Sequence, residues 1–232
     1  MSSVAGTLKI KNPASTVIIS DLAAVDVVQV GPVSVAKSGR YGINGGYFEP
    51  DSKKKTYGKL FSITYSMNQK AKKVVQQPIK RGTMICYRDI CSNKLKMFTG
   101  LLGEYSLHLN SCKVEYLSKI KKETSASIQV REGDCRHQSA IGFRELDRKI
   151  VLDSFRKASP SEVRDIIKKR YHCDIAIMLD GGGSSQISGV GPKNKRIDTD
   201  FTRGVGLKAK DLAKSRKISS MIAVSPSKWI DV

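Results

Sequence analysis

Histidine and tryptophan are nearly absent from this chain, and aromatic residues together make up only 6% of it. The three histidines are spread along the chain and do not cluster, and so few aromatics provide no obvious platform for stacking nucleic-acid bases. The five cysteines, Cys86, Cys91, Cys112, Cys135 and Cys173, are an odd number with no C-x-x-C spacing. That argues against a disulfide scaffold and against a structural zinc site, so reduced, mostly buried thiols and no metal are expected. No apolar stretch approaches the ~20 residues of a membrane helix. Val17-Ile18-Ile19 and Ile222-Ala223-Val224 are strand-sized. Met1 to Ala14 lacks the basic start and apolar core of a secretory signal, which sets the expectation of a cytoplasmic protein.

Acidic residues are scarce too: 21 against 41 basic ones, a formal charge of +20. Such an excess points to an anionic partner: nucleic acid, an anionic membrane or a polyanionic substrate. The cations are spread in short runs, among them Lys53-Lys54-Lys55, Lys168-Lys169-Arg170 and Lys208 to Lys217. Scattered runs of this kind most often form solvated faces.

Neither an internal repeat nor a low-complexity linker is present, so residues 1–232 read as one domain. Strand-like runs bounded by glycine or polar residues dominate the first two-thirds: Thr16 to Ile19, Val25 to Val35, Leu60 to Met67, Met84 to Tyr87, Tyr105 to Leu109, Ser127 to Val130 and Ser139 to Phe143. Pro160 to Tyr171 reads as a helix, with Ser159 as cap, Glu162 completing a capping box and Val163, Ile166, Ile167 and Tyr171 as an apolar stripe. A buried strand, Asp174 to Leu179, follows. Strands first and a late helix packed against them imply an α+β fold with a largely antiparallel or mixed, curved sheet.

Four segments can carry chemistry. In Leu179-Asp180-Gly181-Gly182-Gly183-Ser184-Ser185 a strand delivers a carboxylate to its end. Three glycines then remove every side chain that would hold a ligand off the backbone, and free N–H groups with two hydroxyls suit an anion. A strand-to-turn junction is the alternative. Gly42-Ile43-Asn44-Gly45-Gly46-Tyr47-Phe48 contains the commonest short hairpin turn, Asn-Gly, yet an amide and two aromatics around glycines also suit a sugar. Arg136-His137-Gln138-Ser139-Ala140-Ile141-Gly142 and Arg203-Gly204-Val205-Gly206 each place an arginine at a strand entry, where it can clamp phosphate or simply face solvent. No P-loop and no G-x-S-x-G elbow is present. His172 at the end of the expected helix reads as a cap, and His108 as core.

Taken together, Asn44 to Phe48, Ser139 to Gly142, Leu179 to Ser185 and Arg203 to Val205 resemble the successive motifs of the phosphodiester glycosidase domain family, over about Val33 to Gly206. One position departs. The family usually carries arginine before the small residue of the third motif. Here that residue is Gln138, and Arg136, two residues earlier and on the same face of a strand, is the expected substitute. The resemblance implies hydrolysis between a sugar anomeric carbon and a phosphodiester or nucleotide phosphate, with no cofactor. Asp180 would be nucleophile, base or electrostatic stabiliser. Gly181, Gly182, Gly183, Ser184 and Ser185 would hold the phosphate, Arg136 and Arg203 neutralise it, and Asn44, beside Gly45 and Gly46, orient sugar hydroxyls. Glu49 and Asp153 are candidate second carboxylates. The expected partner is an anionic sugar phosphate, nucleotide-type molecule or anionic glycopolymer. The competing readings are a non-catalytic binder of such ligands and a basic nucleic-acid-binding protein.

Overall fold

Period-two alternation of apolar residues builds two six-stranded antiparallel sheets. The computed structural model describes residues 7–12, 15–49, 51–53, 55, 57–61, 65–66, 69–70, 74–75, 81–88, 95–102, 106–107, 136–190 and 195–225. The strands of the two sheets are β1 (Thr7–Asn12), β2 (Ser15–Asp21), β3 (Val25–Val33), β4 (Tyr41–Asn44), β5 (Ser106–Leu107), β6 (Arg136–Arg144), β7 (Lys149–Ala158), β8 (Ile175–Met178), β9 (Gln186–Val190), β10 (Arg196–Asp200), β11 (Gly204–Val205) and β12 (Ile218–Val224). The first sheet runs β1-β2-β7-β6-β8-β5 and the second β11-β10-β9-β4-β12-β3.

One core is shared between the sheets. Ile18, Ile141, Phe143, Ile150 and Leu152 of the first sheet pack with Ile43, Ile187, Ile222 and Val224 of the second. The alternate residues Val17, Ala140, Val151, Phe155 and Ala176 point the other way, onto Val163, Ile167 and Tyr171 of the helical segment. With both faces covered, β7 is buried without a break from Ile150 to Phe155 rather than at alternate residues. The outer face of the second sheet is covered by Val35, Phe48 and Leu60. The expected α+β class, antiparallel pairing and late helix are all present.

Helix α1 (Pro160–Asp165) opens as its sequence requires. The Glu162 N–H donates to Ser159 Oγ at 3.3 Å, and Glu162 Oε2 accepts from the Ser159 N–H at 2.7 Å. The stretch expected to stay α-helical to Tyr171 widens into a π turn at Ile166–Arg170. A four-residue spacing overshoots one turn of α-helix and falls short of one π turn. Combining the two keeps Val163, Ile167 and Tyr171, four residues apart, on one buried face. His172 lies just past this helix in the left-handed conformation (φ 53°).

Several expectations shift. Asn44-Gly45 is not a hairpin turn: Asn44 ends β4, a strand flanked by β9 and β12. The single run expected over Leu60 to Met67 is two short strands, Leu60–Phe61 and Tyr65–Ser66, with different partners. Val25 to Val35 stops at Val33, where the chain turns into Ala36–Ser38. Ser127 to Val130 and His108 lie outside the described residues. Cys173 is buried, and that burial pushes its thiol up to about 12, but Cys86 is exposed.

Asp153 sits among the helix-facing apolar residues of β7, opposite Ala140 and fully buried. Burial pushes its carboxyl well above the usual range, while Tyr171, Arg170 and the Ser154 backbone pull the other way. Its stabilising contribution is therefore complete below the unfolded value, about 3.9, and is lost as pH rises through the folded value. Asp153→Asn, neutral at every pH, should raise Tm at pH 7 by about 2–4 °C or more, as about 1 kcal/mol does in a chain this long. The gain should shrink toward pH 4. Thermal melts of both proteins across that range check it, and an equal gain at both pH values contradicts it.

Candidate active site

The strand β8 ends at Met178 and delivers Asp180 to one end of the seam between the sheets. The Leu179 N–H donates to the Ser139 carbonyl of β6 at 2.8 Å, and the Asp180 N–H donates to the Gly45 carbonyl beyond β4 at 3.1 Å. The chain thus passes from one sheet to the other across Asp180.

Asn44 holds that crossing. Its Nδ2 donates to the Asp180 carbonyl at 2.6 Å and to the Gly45 carbonyl at 3.4 Å. Its Oδ1 accepts from Ser139 Oγ at 2.7 Å and from the Gln186 N–H at 3.1 Å. An asparagine amide has two donors and two principal acceptor positions, and here all are used. The side chain is 0% exposed. Asn44 therefore positions the loop, and its amide is turned to the framework rather than toward a sugar.

Three different constraints shape Gly181, Gly182 and Gly183. A Cβ on Gly181 would lie 2.8 Å from both Gln138 Oε1 and the His137 carbonyl oxygen, closer than real side chains come. Gly182 has φ +59°, a conformation L-residues rarely adopt. A Cβ on Gly183 would meet Arg216 Nη1 at 3.3 Å. The chain then closes a 3₁₀ turn through the Ser184 N–H to the Gly181 carbonyl and the Ser185 N–H to the Gly182 carbonyl. Among the described residues, the N–H groups of Gly181, Gly182 and Gly183 find no acceptor.

Several unpartnered polar atoms lie on or near this loop. Ser184 Oγ and Ser185 Oγ are fully buried without a hydrogen bond, and so is Gln138 Nε2 on a residue 3% exposed. Thr199 Oγ1, His137 Nδ1 and one Asp200 oxygen share that condition. Buried polar groups nearly always find partners, and each orphan costs about 1–3 kcal/mol. Those of Ser184, Ser185 and Gln138 lie on the glycine loop or against it.

The flanking turns close in from two sides. The Phe201 N–H donates to the Ser185 carbonyl at 3.4 Å, and the Phe201 ring stacks on His137 at 6.3 Å. Gln186 Nε2 donates to the Arg216 carbonyl at 2.8 Å, and Gln186 Oε1 accepts from the Val35 N–H at 3.0 Å. Burial, then Arg156, hold the His137 imidazole below its usual value; Asp200 opposes them and Lys157 adds to them.

The structure brings Asn44, Gly45, Asp180 and the Gly181–Ser185 loop together. Arg203 lies on the exposed turn next to Phe201, with Nε 3.9 Å from Asp200. Gly46 is exposed, with open space where a Cβ would stand. Arg136 does not stand in for Gln138. Arg136 is exposed and Gln138 buried, and the β6–β7 register slips between them, where Lys157 takes φ 51°. Asp153 lies on the helix-covered face of β7, away from the seam. Glu49 accepts from the Asp51 N–H and pairs through its backbone with Gly58 and Lys59. Motif reading missed Arg216 and Asp200 altogether. Neither stands in a recognisable pattern, and their place at the loop comes only from tertiary contacts.

These features define an α+β domain whose candidate site is carried on loops at one end of two packed sheets. The chain belongs to the phosphodiester glycosidase family, whose model matches residues 37–225. Its fold is similar to that of the zebrafish N-acetylglucosamine-1-phosphodiester alpha-N-acetylglucosaminidase catalytic domain, a structure described as auto-inhibited by its pro-peptide. The TM-score is 0.58 at 15% identity, over 96% of this chain and 87% of that one. A hypothetical protein from Synechocystis aligns with a TM-score of 0.47 at 9% identity, over 94% of this chain and 61% of that one. A search of curated protein sequences gives no match.

Replacing Asn44 tests the framework role. Asn44→Ala strands the Ser139 hydroxyl, the Gln186 N–H and the Asp180 carbonyl in a buried place. The expected loss is about 2–4 kcal/mol of unfolding free energy, read from urea denaturation. A loss below about 0.5 kcal/mol, the level of an ordinary surface change, contradicts that role.

Proposed function

We propose that the protein is a glycosidase that hydrolyses the bond between a sugar anomeric carbon and a phosphodiester or nucleotide phosphate. The observation that carries this reading is the donor set beside Asp180: unpaired glycine N–H groups and unpaired, buried Ser184 and Ser185 hydroxyls on one carboxylate-led loop. Membership of the phosphodiester glycosidase family supports it.

In the proposed reaction the C1–O bond to phosphate breaks and water supplies the new hydroxyl at C1, leaving a free sugar and a phosphate monoester from a phosphodiester or the free nucleotide from a nucleotide sugar. The phosphate departs as a stabilised anion, so catalysis rests on holding that anion and on stabilising an oxocarbenium-like transition state. Asp180 supplies the negative charge near C1, as nucleophile, base or electrostatic stabiliser. The Gly181–Gly183 N–H groups and the two serine hydroxyls take the phosphate oxygens. Arg203 and Arg136, both exposed, add to the positive field at this end of the molecule. Asn44 acts through the loop it holds.

Purified protein should release free sugar from a panel of sugar 1-phosphodiesters and nucleotide sugars, followed by mass spectrometry. Stoichiometric binding without turnover on the whole panel would make the protein a binder instead. Asp180→Asn is nearly isosteric and removes a charge felt chiefly in the transition state. It should cut kcat ~100-fold or more while Tm and substrate affinity change little. A well-folded Asp180→Asn protein with near-native turnover contradicts the assignment. The excess of 41 basic over 21 acidic residues should also make KM rise with ionic strength, because salt screens the field that steers an anion. An unchanged KM between about 50 mM and 500 mM salt, across which the screening length falls severalfold, contradicts this.

A further inference from the structure

We infer that Arg216 is the cation that binds the anionic group of the ligand at the glycine loop, with the Gln138 amide facing it from the opposite side. This deepens the reading of the Asp180–Ser185 loop given above and rests on it.

The argument begins with the shape of the loop. Gly181 is pressed against Gln138 and Gly183 against Arg216, so the two side chains flank the run of three glycines. Arg216 Nη1, Cδ and Cζ lie 3.3, 3.5 and 3.8 Å from the place a Gly183 Cβ would occupy. The guanidinium therefore packs beside Gly183, at the end of the glycine run nearest Ser184. Its own backbone is fixed, since the Arg216 carbonyl accepts from the buried Gln186 Nε2. Among the described residues no carboxylate pairs with Arg216. Arg203 differs, because Asp200 stands 3.9 Å from its Nε.

The second observation is independent of the cation. Gln138 Nε2, Ser184 Oγ and Ser185 Oγ are each more than nine-tenths buried and hold no partner. All three are on the loop or against it. Every one of them can donate, and none carries charge. A tetrahedral oxyanion satisfies such a set: its inner oxygens meet neutral donors, and the planar guanidinium takes the outer ones in a charge-assisted pair. A neutral sugar hydroxyl would use the amide and hydroxyls but would leave Arg216 idle.

The test uses the full chain and two simple probes, inorganic phosphate and dimethyl phosphate, titrated by ³¹P NMR, so that it needs no turnover. Wild type should bind both. Arg216→Gln should weaken binding at least ~10-fold, the loss of about one charge-assisted contact of 1.4 kcal/mol. Arg216→Lys should recover part of that loss. Lys169→Gln removes the same charge from a distant exposed ion pair with Asp165 and should change affinity less than twofold. Gly183→Ala, which crowds the guanidinium, should weaken binding without lowering Tm. Equal affinity of wild type and Arg216→Gln overturns the inference, and so does equal weakening by Lys169→Gln, which would reduce the effect to net charge. Binding that depends on Arg216 in a protein that cleaves no sugar phosphodiester would uphold this inference while refuting the proposed reaction.

Discussion

Everything at the open end of the two sheets depends on one buried amide. Asn44 is at the end of a central strand of the second sheet, yet its four hydrogen bonds reach the first sheet through Ser139, the motif loop through Asp180, the next strand through Gln186 and its own turn through Gly45. No other side chain of that size could do this. Aspartate has no donors for the two carbonyls, and glutamine would carry its amide one methylene too far. The bonds are made in a fully desolvated place, where a satisfied polar network is specific and a broken one is costly. The position of the Asp180 backbone is set by the same contacts that join the sheets, so site geometry and fold stability are coupled at this residue.

That coupling gives the unsatisfied groups their meaning. A chain able to satisfy four valences of Asn44 in the interior leaves Ser184, Ser185 and Gln138 unsatisfied a few residues away. The contrast is local, and it falls where the glycine backbone is bare. On the proposed reading, orphaned donors beside a rigid scaffold would not need to reorganise for an anion, which is the source of electrostatic preorganisation. The folded protein carries the cost of their desolvation in advance.

How much of this was legible in the sequence followed the range of the interactions. The helix start was readable because Ser159, Pro160 and Glu162 interact within one turn. The strands β2 and β6 were readable as short apolar runs bounded by glycine or polar residues. β4 was not, because Gly42, Asn44 and Gly45 have the composition of a turn; Gly42 is required there by the close approach of Ile222, whose carbonyl oxygen would be 2.0 Å from a Cβ. β9 and β10 were hidden by Ser188 and Asp198, which bond each other across the sheet although each looks like loop material alone. The wide turn at Ile166–Arg170 follows from what the sheet needs to contact, not from the helix's own residues. Among site residues, the motif glycines and serines were visible as a string. Arg216 was not, since a lone arginine gains a role only from what folds against it.

The same distinction decides what the charge means. Among the described residues, the pairs Arg144–Asp147, Lys149–Asp21, Arg164–Asp165, Lys169–Asp165, Arg196–Asp198 and Arg203–Asp200 engage five of the carboxylates. The surplus of cations elsewhere creates a field, but a field attracts every polyanion alike and carries no chemical identity. Selection must come from short-range, buried, directional donors, because only these distinguish a tetrahedral anion from a neutral hydroxyl or a flat base. On the proposed reading such donors are the ones on the loop between Gln138 and Arg216, so that the positive surface would govern how fast an anion arrives and the loop which anion stays.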